Sequence, residues 1–185
     1  MPVLISMLRG VNVGGHNMIK MDALRALYQS LGLQHVQTYV QSGNIVFRTD
    51  ASEFLALASH IEQEIEGGFG FKPAVILRTL QQLREVVAEN PFAKRRDITP
   101  DKLLITFLAV DLGQDAQDTL ARLEVHPEEM RVRPSELYIY YPDGMGRSKL
   151  PIRAIDKILG TPGTSRNWNS VLKLLAMAES LEAIE

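Results

Sequence analysis

Val36-Gln37-Thr38-Tyr39-Val40-Gln41-Ser42-Gly43-Asn44-Ile45-Val46-Phe47-Arg48 is the stretch that decides the fold. Val36, Thr38 and Val40 alternate with Gln37 and Tyr39, the period of a half-buried strand, and Gln41-Ser42-Gly43-Asn44 is turn chemistry. Ile45 to Arg48 then resumes as a strand, so the stretch predicts a hairpin. Upstream, Met21 to Leu31 places apolar residues at helical spacing, with Asp22 in the first turn and Gly32 just past the end. Val3 to Leu8, apolar except for Ser6, reads as a buried strand. Downstream, Ser52 is a candidate cap for a helix running to about Glu66 and ending at Gly67-Gly68, and Ala74 to Leu77 is a further strand. The order over residues 3–78 is β-α-β-β-α-β, that of a split βαβ, ferredoxin-like unit.

The pattern then recurs. A helix from about Leu80 to Glu89 is stopped by Asn90-Pro91, and Lys94 to Pro100 reads as an exposed connection. Leu103 to Val110 is a strand and Asp115 to Leu123 a helix. Met130–Arg133 and Glu136–Tyr141 form a hairpin around Pro134-Ser135, and Leu150 to Leu159 is a helix. Thr161 to Asn169 stands where the first half has its fourth strand, and a last helix runs from about Ser170 to Leu181. The expectation is an α+β fold of two ferredoxin-like subdomains with mixed or antiparallel sheets plus a C-terminal helix. The boundaries are 1–78, a connecting helix and linker over 79–100, and 101–185 with the C-terminal helix.

This topology brings polar motifs together. Arg9-Gly10-Val11-Asn12-Val13-Gly14-Gly15-His16-Asn17 ends the first strand, and Gln41–Asn44 turns at the same end of the same sheet. The first helix opens there too, and its unpaired N–H groups favour an anion. The candidate ligand-binding residues are therefore Arg9, Asn12, the Gly14 and Gly15 amides, Gln41, Ser42 and Asn44, with charge added by Lys20. A second wall is expected from Arg147, Lys149, Arg166 and Asn167, if the two halves face each other. The bland alternative is that the glycines only let the chain turn, that Ser148 caps the helix near Leu150, and that Asn167 or Asn169 caps the last helix while Trp168 anchors it. The leading expectation is binding of a small anionic ligand, phosphorylated or nucleotide-like. The competing one is a protein-interaction module without a small-molecule site. A third puts Tyr138 and Tyr140 beside Arg131 and Arg133 on an outer face that stacks RNA bases.

Several chemistries lack their residues. GxGxxG and GxxxxGK[ST] are absent, as are HExxH and GxSxG. His16, His35, His60 and His126 are dispersed, so no metal site is expected. His16 is the one candidate general base near the opening loop, against the plainer reading of an exposed loop histidine, and catalytic residues and cofactors stay unassigned. The 185 residues are 45% hydrophobic and 23% charged with no cysteine, which excludes disulfides and thiolate metal sites. A net charge of −2 argues against charge-driven nucleic-acid binding. The start lacks the order of a signal peptide, and nothing approaches the roughly 20 apolar residues of a membrane span. The expected location is the cytoplasm. Oligomeric state cannot be read from the sequence.

Taken together, Leu8-Arg9-Gly10-Val11-Asn12-Val13-Gly14-Gly15, Thr38 to Phe47, Asn90-Pro91-Phe92, Gly146-Arg147-Ser148-Lys149-Leu150 and Ser165-Arg166-Asn167-Trp168-Asn169 resemble the DUF1697 family, a bacterial domain of unknown function. The family usually carries Thr-Thr-Arg-Asn-Trp-Asn-Thr in the last motif. Here the motif reads Thr164-Ser165-Arg166-Asn167-Trp168-Asn169-Ser170, which keeps a hydroxyl at each changed position. The resemblance implies two ferredoxin-like subdomains and carries over no activity or catalytic residue.

Overall fold

Six consecutive buried residues, Val3–Leu8, form the strand β1, around which the first half is built. The computed structural model describes residues 1–184. Its contacts divide the chain into two units, Met1–Val86 with the chain from Lys173 onward, and Val87–Leu172. The first unit continues with α1 (Met21–Ser30), β2 (Gln34–Tyr39), β3 (Asn44–Arg48), α2 (Phe54–Phe69), β4 (Val75–Thr79) and α3 (Leu80–Ala88). Its sheet has the order β2-β3-β1-β4, every neighbour antiparallel. Alternate residues of β1 and β3 bury against α1 and α2 in a core that includes Leu4, Leu8, Leu24, Tyr28, Ile45, Phe47, Ile61 and Ile65. Ser6, the polar residue in that strand, is satisfied because its hydroxyl meets the Tyr28 hydroxyl at 2.8 Å. The Tyr28 ring meets Phe47 edge-on, with centroids 5.6 Å apart, and its burial pushes the phenol above the ordinary tyrosine range.

The second unit contains β5 (Leu103–Leu108), α4 (Gln114–Ala121), β6 (Glu129–Val132), β7 (Glu136–Tyr140), α5 (Ile152–Leu159) and β8 (Gly163–Asn167), followed by α6 (Trp168–Glu182). Its sheet has the order β6-β7-β5-β8, again antiparallel. The core joins Leu108, Leu120, Leu137, Ile139, Ile155 and Leu159. The two sheets correspond pair by pair. Ile5 faces Arg78 across β1 and β4, as Ile105 faces Arg166 across β5 and β8. The amide of Leu8 donates to the Gly43 carbonyl and that of Leu108 to Ser135; Arg9 donates to Ala74 as Ala109 donates to Pro162. The halves are one architecture used twice.

Four features differ from the pattern reading. The stretch Gly163–Asn167 is a fourth strand, although its sequence is polar, because backbone pairing with β5 holds it; a Cβ on Gly163 would meet the Thr106 methyl at 3.0 Å. Helix α2 runs through Gly67-Gly68 to Phe69, which packs on the core, and Ser52 provides no side-chain cap. Strand β2 ends at Tyr39 with a bulge between Gln34 and Gln37, so Val40 leaves the alternation and stands exposed. The end of α6 groups with the first unit. There Arg48 Nη2 donates to the carbonyls of Leu181 at 2.7 Å, Glu182 at 3.2 Å and Ile184, while Arg84 pairs with Glu179 at 3.1 Å and Glu182 at 2.7 Å. Among the described residues no helix is long and apolar enough to cross a membrane.

Candidate functional site

Between β1 and α1 the first unit spends residues 9–20, where the equivalent connection of the second unit, between β5 and α4, needs only residues 109–113. The fold therefore does not demand the longer connection. Its structure is a small hairpin finger: the amide of Asn12 donates to Asn17 at 3.1 Å and that of His16 to Val13 at 2.9 Å. Gly14 and Gly15 form its tip at φ +57° and +78°, the positive pair that a type I′ turn requires. The Gly-Gly dipeptide between two short flanks was a legible hairpin signal, hidden by the lack of apolar alternation around it.

The finger is pinned at its base. Asn12 Nδ2 donates to the carbonyls of Ile19 at 2.9 Å and Gln41 at 2.7 Å, and Oδ1 accepts from the Ile19 amide at 2.8 Å. Asn17 Nδ2 donates to the Gly10 carbonyl at 3.1 Å. Val11 and Ile19, at either side of the base, are buried in the core of the first unit. Asn12, expected to contact a ligand, thus spends its side chain tying the loop to the turn after β2. Asn44 is fully buried, donates to the Tyr39 carbonyl at 3.1 Å and Ser42 Oγ at 2.9 Å, and shapes the hairpin rather than lining an open surface. Gly43 lies against β1, where a Cβ would approach the Leu8 Cβ to 2.9 Å.

Beside the finger lies an open cleft of about 630 Å³, lined by Met18, Ile19, Lys20, Met21, Asp22 and Gln41. It contains the start of α1, which no side chain caps: Lys20 holds the capping position in an extended conformation. The first-turn N–H groups and the dipole end make this place favourable to negative charge. Asp22 opposes that, but its carboxylate is engaged by Arg25 at 2.8 Å. Arg9 and Lys20 are exposed at this end, together with Gln41, and the Gly14 and Gly15 amides lie outside the turn's own hydrogen bond. Of the residues expected here, Lys20 and Gln41 line the cleft; Asn12 bonds the Gln41 carbonyl, Asn44 bonds Ser42 within the turn, and Arg9, Gly14 and Gly15 are exposed but not among the lining residues. Met18, Ile19 and Met21 are cleft residues the sequence reading did not single out; only their position between the glycines and the helix start marked them.

The residues of the second cluster lie in the second unit. Arg166 is buried on β8, donates through Nη1 to Thr164 Oγ1 and the Ser165 carbonyl, both at 2.8 Å, and is lowered by burial to about 10, still charged near neutrality. Asn167 Oδ1 accepts the Ser170 amide at 2.9 Å, the expected cap of α6. Arg147 ends a short 3₁₀ turn, Met145–Arg147, and is exposed, as is Lys149. Ser148 Oγ accepts the Leu150 amide ahead of α5, which begins only at Ile152 behind Pro151.

The base-stacking surface is not open. Arg131 faces Tyr138 across β6 and β7 as expected, but Tyr138 is 0% and Tyr140 7% exposed. The segment after α3 covers this side: Phe92 packs on Tyr140, with the guanidiniums of Arg131 and Arg95 at 5.4 and 5.7 Å from its ring centre. The Tyr140 hydroxyl donates to the Asp97 carbonyl at 3.1 Å. Arg95 binds the carboxylates of Asp97 and Glu129 and holds that of Asp97 below the usual range.

A family model described as a protein of unknown function, DUF1697, matches residues 1–138. No curated protein sequence matches the chain. Among solved structures, a conserved bacterial protein from Streptococcus pneumoniae matches with a TM-score of 0.77 at 23% identity, covering 96% of this chain and 98% of its own. That likeness shows a shared fold. With three quarters of its length inside the family model, the chain belongs to the DUF1697 family of proteins of unknown function.

Proposed function

We propose that the protein binds a small anionic ligand, phosphorylated or nucleotide-like, in the cleft between the finger and the start of α1. One observation carries the reading: the first unit builds a pinned twelve-residue connection where its structural twin makes do with five. Long ordered connections that a fold does not require are where binding concentrates. The uncapped first turn of α1, Arg9, Lys20 and the tip amides supply the positive potential, and Gln41 a directional hydrogen bond. No catalytic residue is assigned. The competing reading, an interaction module with no small-molecule site, is favoured by Val13 and Met18, which stand 62% and 64% exposed on the finger.

Thermal-shift screening against orthophosphate, pyrophosphate and nucleoside mono-, di- and triphosphates tests the proposal. A ligand at 100 times its Kd adds about 2.7 kcal/mol, which for a chain of this size raises Tm by about 5–10 °C. Lys20→Ala and Arg9→Ala should each reduce the shift. No shift with any of these compounds, or shifts that both variants leave intact, would overturn it.

A further inference from the structure

Resting on the anion reading above, we infer that the anion is presented by a phospholipid headgroup and that the finger end of the first unit docks on an anionic membrane surface. Three large apolar side chains stand in water at this one end: Val13 at 62%, Met18 at 64% and Val40 at 49% exposure. None is needed by the core, which Val11 and Ile19 serve from the base of the finger. Val40 is a β-branched residue held at φ +49°, a conformation such residues rarely adopt. The base between Val13 and Met18 is pinned, Asn12 bonding the Ile19 and Gln41 carbonyls and Asn17 the Gly10 carbonyl.

The charge around this apolar tip favours an anionic partner. Arg9 and Lys20 flank it, and the pairing of the Arg9 amide with Ala74 brings exposed Lys72 to the same end. The carboxylates at this end are Asp22, paired with Arg25 at 2.8 Å, Glu62, half-buried where it accepts the Val75 amide at 2.9 Å and still charged, and Glu66 near the end of α2. Apolar side chains entering the headgroup boundary, with basic residues around them, is the arrangement of peripheral membrane contact. The cleft beside Met18 would then receive the phosphate of a lipid whose chains stay in the bilayer.

Co-sedimentation of the full chain with vesicles of phosphatidylglycerol and phosphatidylcholine, against phosphatidylcholine alone, tests this. Binding is expected only to the anionic vesicles, weakening as salt rises. Lys72→Ala should lower the partition constant about fivefold, and Val13→Ser with Val40→Ser about tenfold, each at exposed positions outside the cleft lining that do not lower the melting temperature. Equal binding to both vesicle types, or no loss in the double variant, would overturn the inference. If soluble phosphates raise Tm but anionic vesicles do not sediment the protein, the membrane inference fails and the anion reading stands. If neither binds, both fail.

Discussion

Two glycines separate what a turn needs from what packing needs. Gly43 has φ +73°, and an added Cβ would meet the Leu8 Cβ at 2.9 Å, whereas Gly15 has φ +78° with nothing within 4 Å. Gly15→Ala should therefore cost only the left-handed conformation, about 1–2 kcal/mol, while Gly43→Ala adds overpacking of about 1–3 kcal/mol. Urea midpoints of the two variants should differ in that order; equal losses would mean that β1 yields to the hairpin. Tyr28 carries the pH prediction. Its pKa is raised by burial, so the folded state keeps the proton longer than the unfolded chain does. Stability contributed by the neutral phenol is present below the unfolded value near 10 and is lost as pH rises above it. Tyr138 and Tyr141 are shifted the same way by burial. Tyr28→Phe should cost about 1–2 kcal/mol at neutral pH, by leaving Ser6 without its partner, yet flatten the decline between about pH 10 and 11. Urea melts from pH 7 to 11 check it, and an unchanged slope would contradict the assignment.

Among the elements, those with apolar periodicity were legible and those held by backbone alone were not. β1, β3, β5 and β7 announce themselves because their side chains fill cores. β8 does not, since Thr164, Ser165, Arg166 and Asn167 carry no apolar pattern and the strand exists through its pairing with β5. The finger was hidden for a related reason: side-chain bonds to carbonyls make it, Asn17 to Gly10 within the loop and Asn12 to Gln41 across the sequence. The alternation of Tyr138 and Tyr140 placed them correctly on one face but could not show that Phe92 lies across Tyr140. That strap is itself testable. Phe92 is 2% exposed, so Phe92→Ala should cost about 3–5 kcal/mol and open Tyr140 to solvent. Tyrosine accessibility by ultraviolet difference spectroscopy would show one newly exposed ring; none would mean that another segment covers the face.

For the whole molecule, the repeat of one architecture gives each half a reference for the other. The pairings of β1 with β3 and β4 match those of β5 with β7 and β8 residue for residue, so the connections that do not match stand out: residues 9–20 against 109–113, and residues 141–151 against 49–53. The sequence showed the repeated order of elements, but the comparison of connections needs the register that only the pairing supplies. It also could not show that the end of α6 belongs with the first unit, because the groups responsible, Arg48 and Arg84, lie more than ninety residues before their partners. The most direct measurement exploits the repeat. Residues 9–20 are replaced by the twin connection Ala109-Val110-Asp111-Leu112-Gly113, whose Leu112 is buried as Val11 and Ile19 are. The folded variant and the parent are then titrated with whichever phosphate compound gives the largest thermal shift. Binding by the parent and none by the variant is the predicted result, and equal affinity in both would contradict the assignment of the site to the finger.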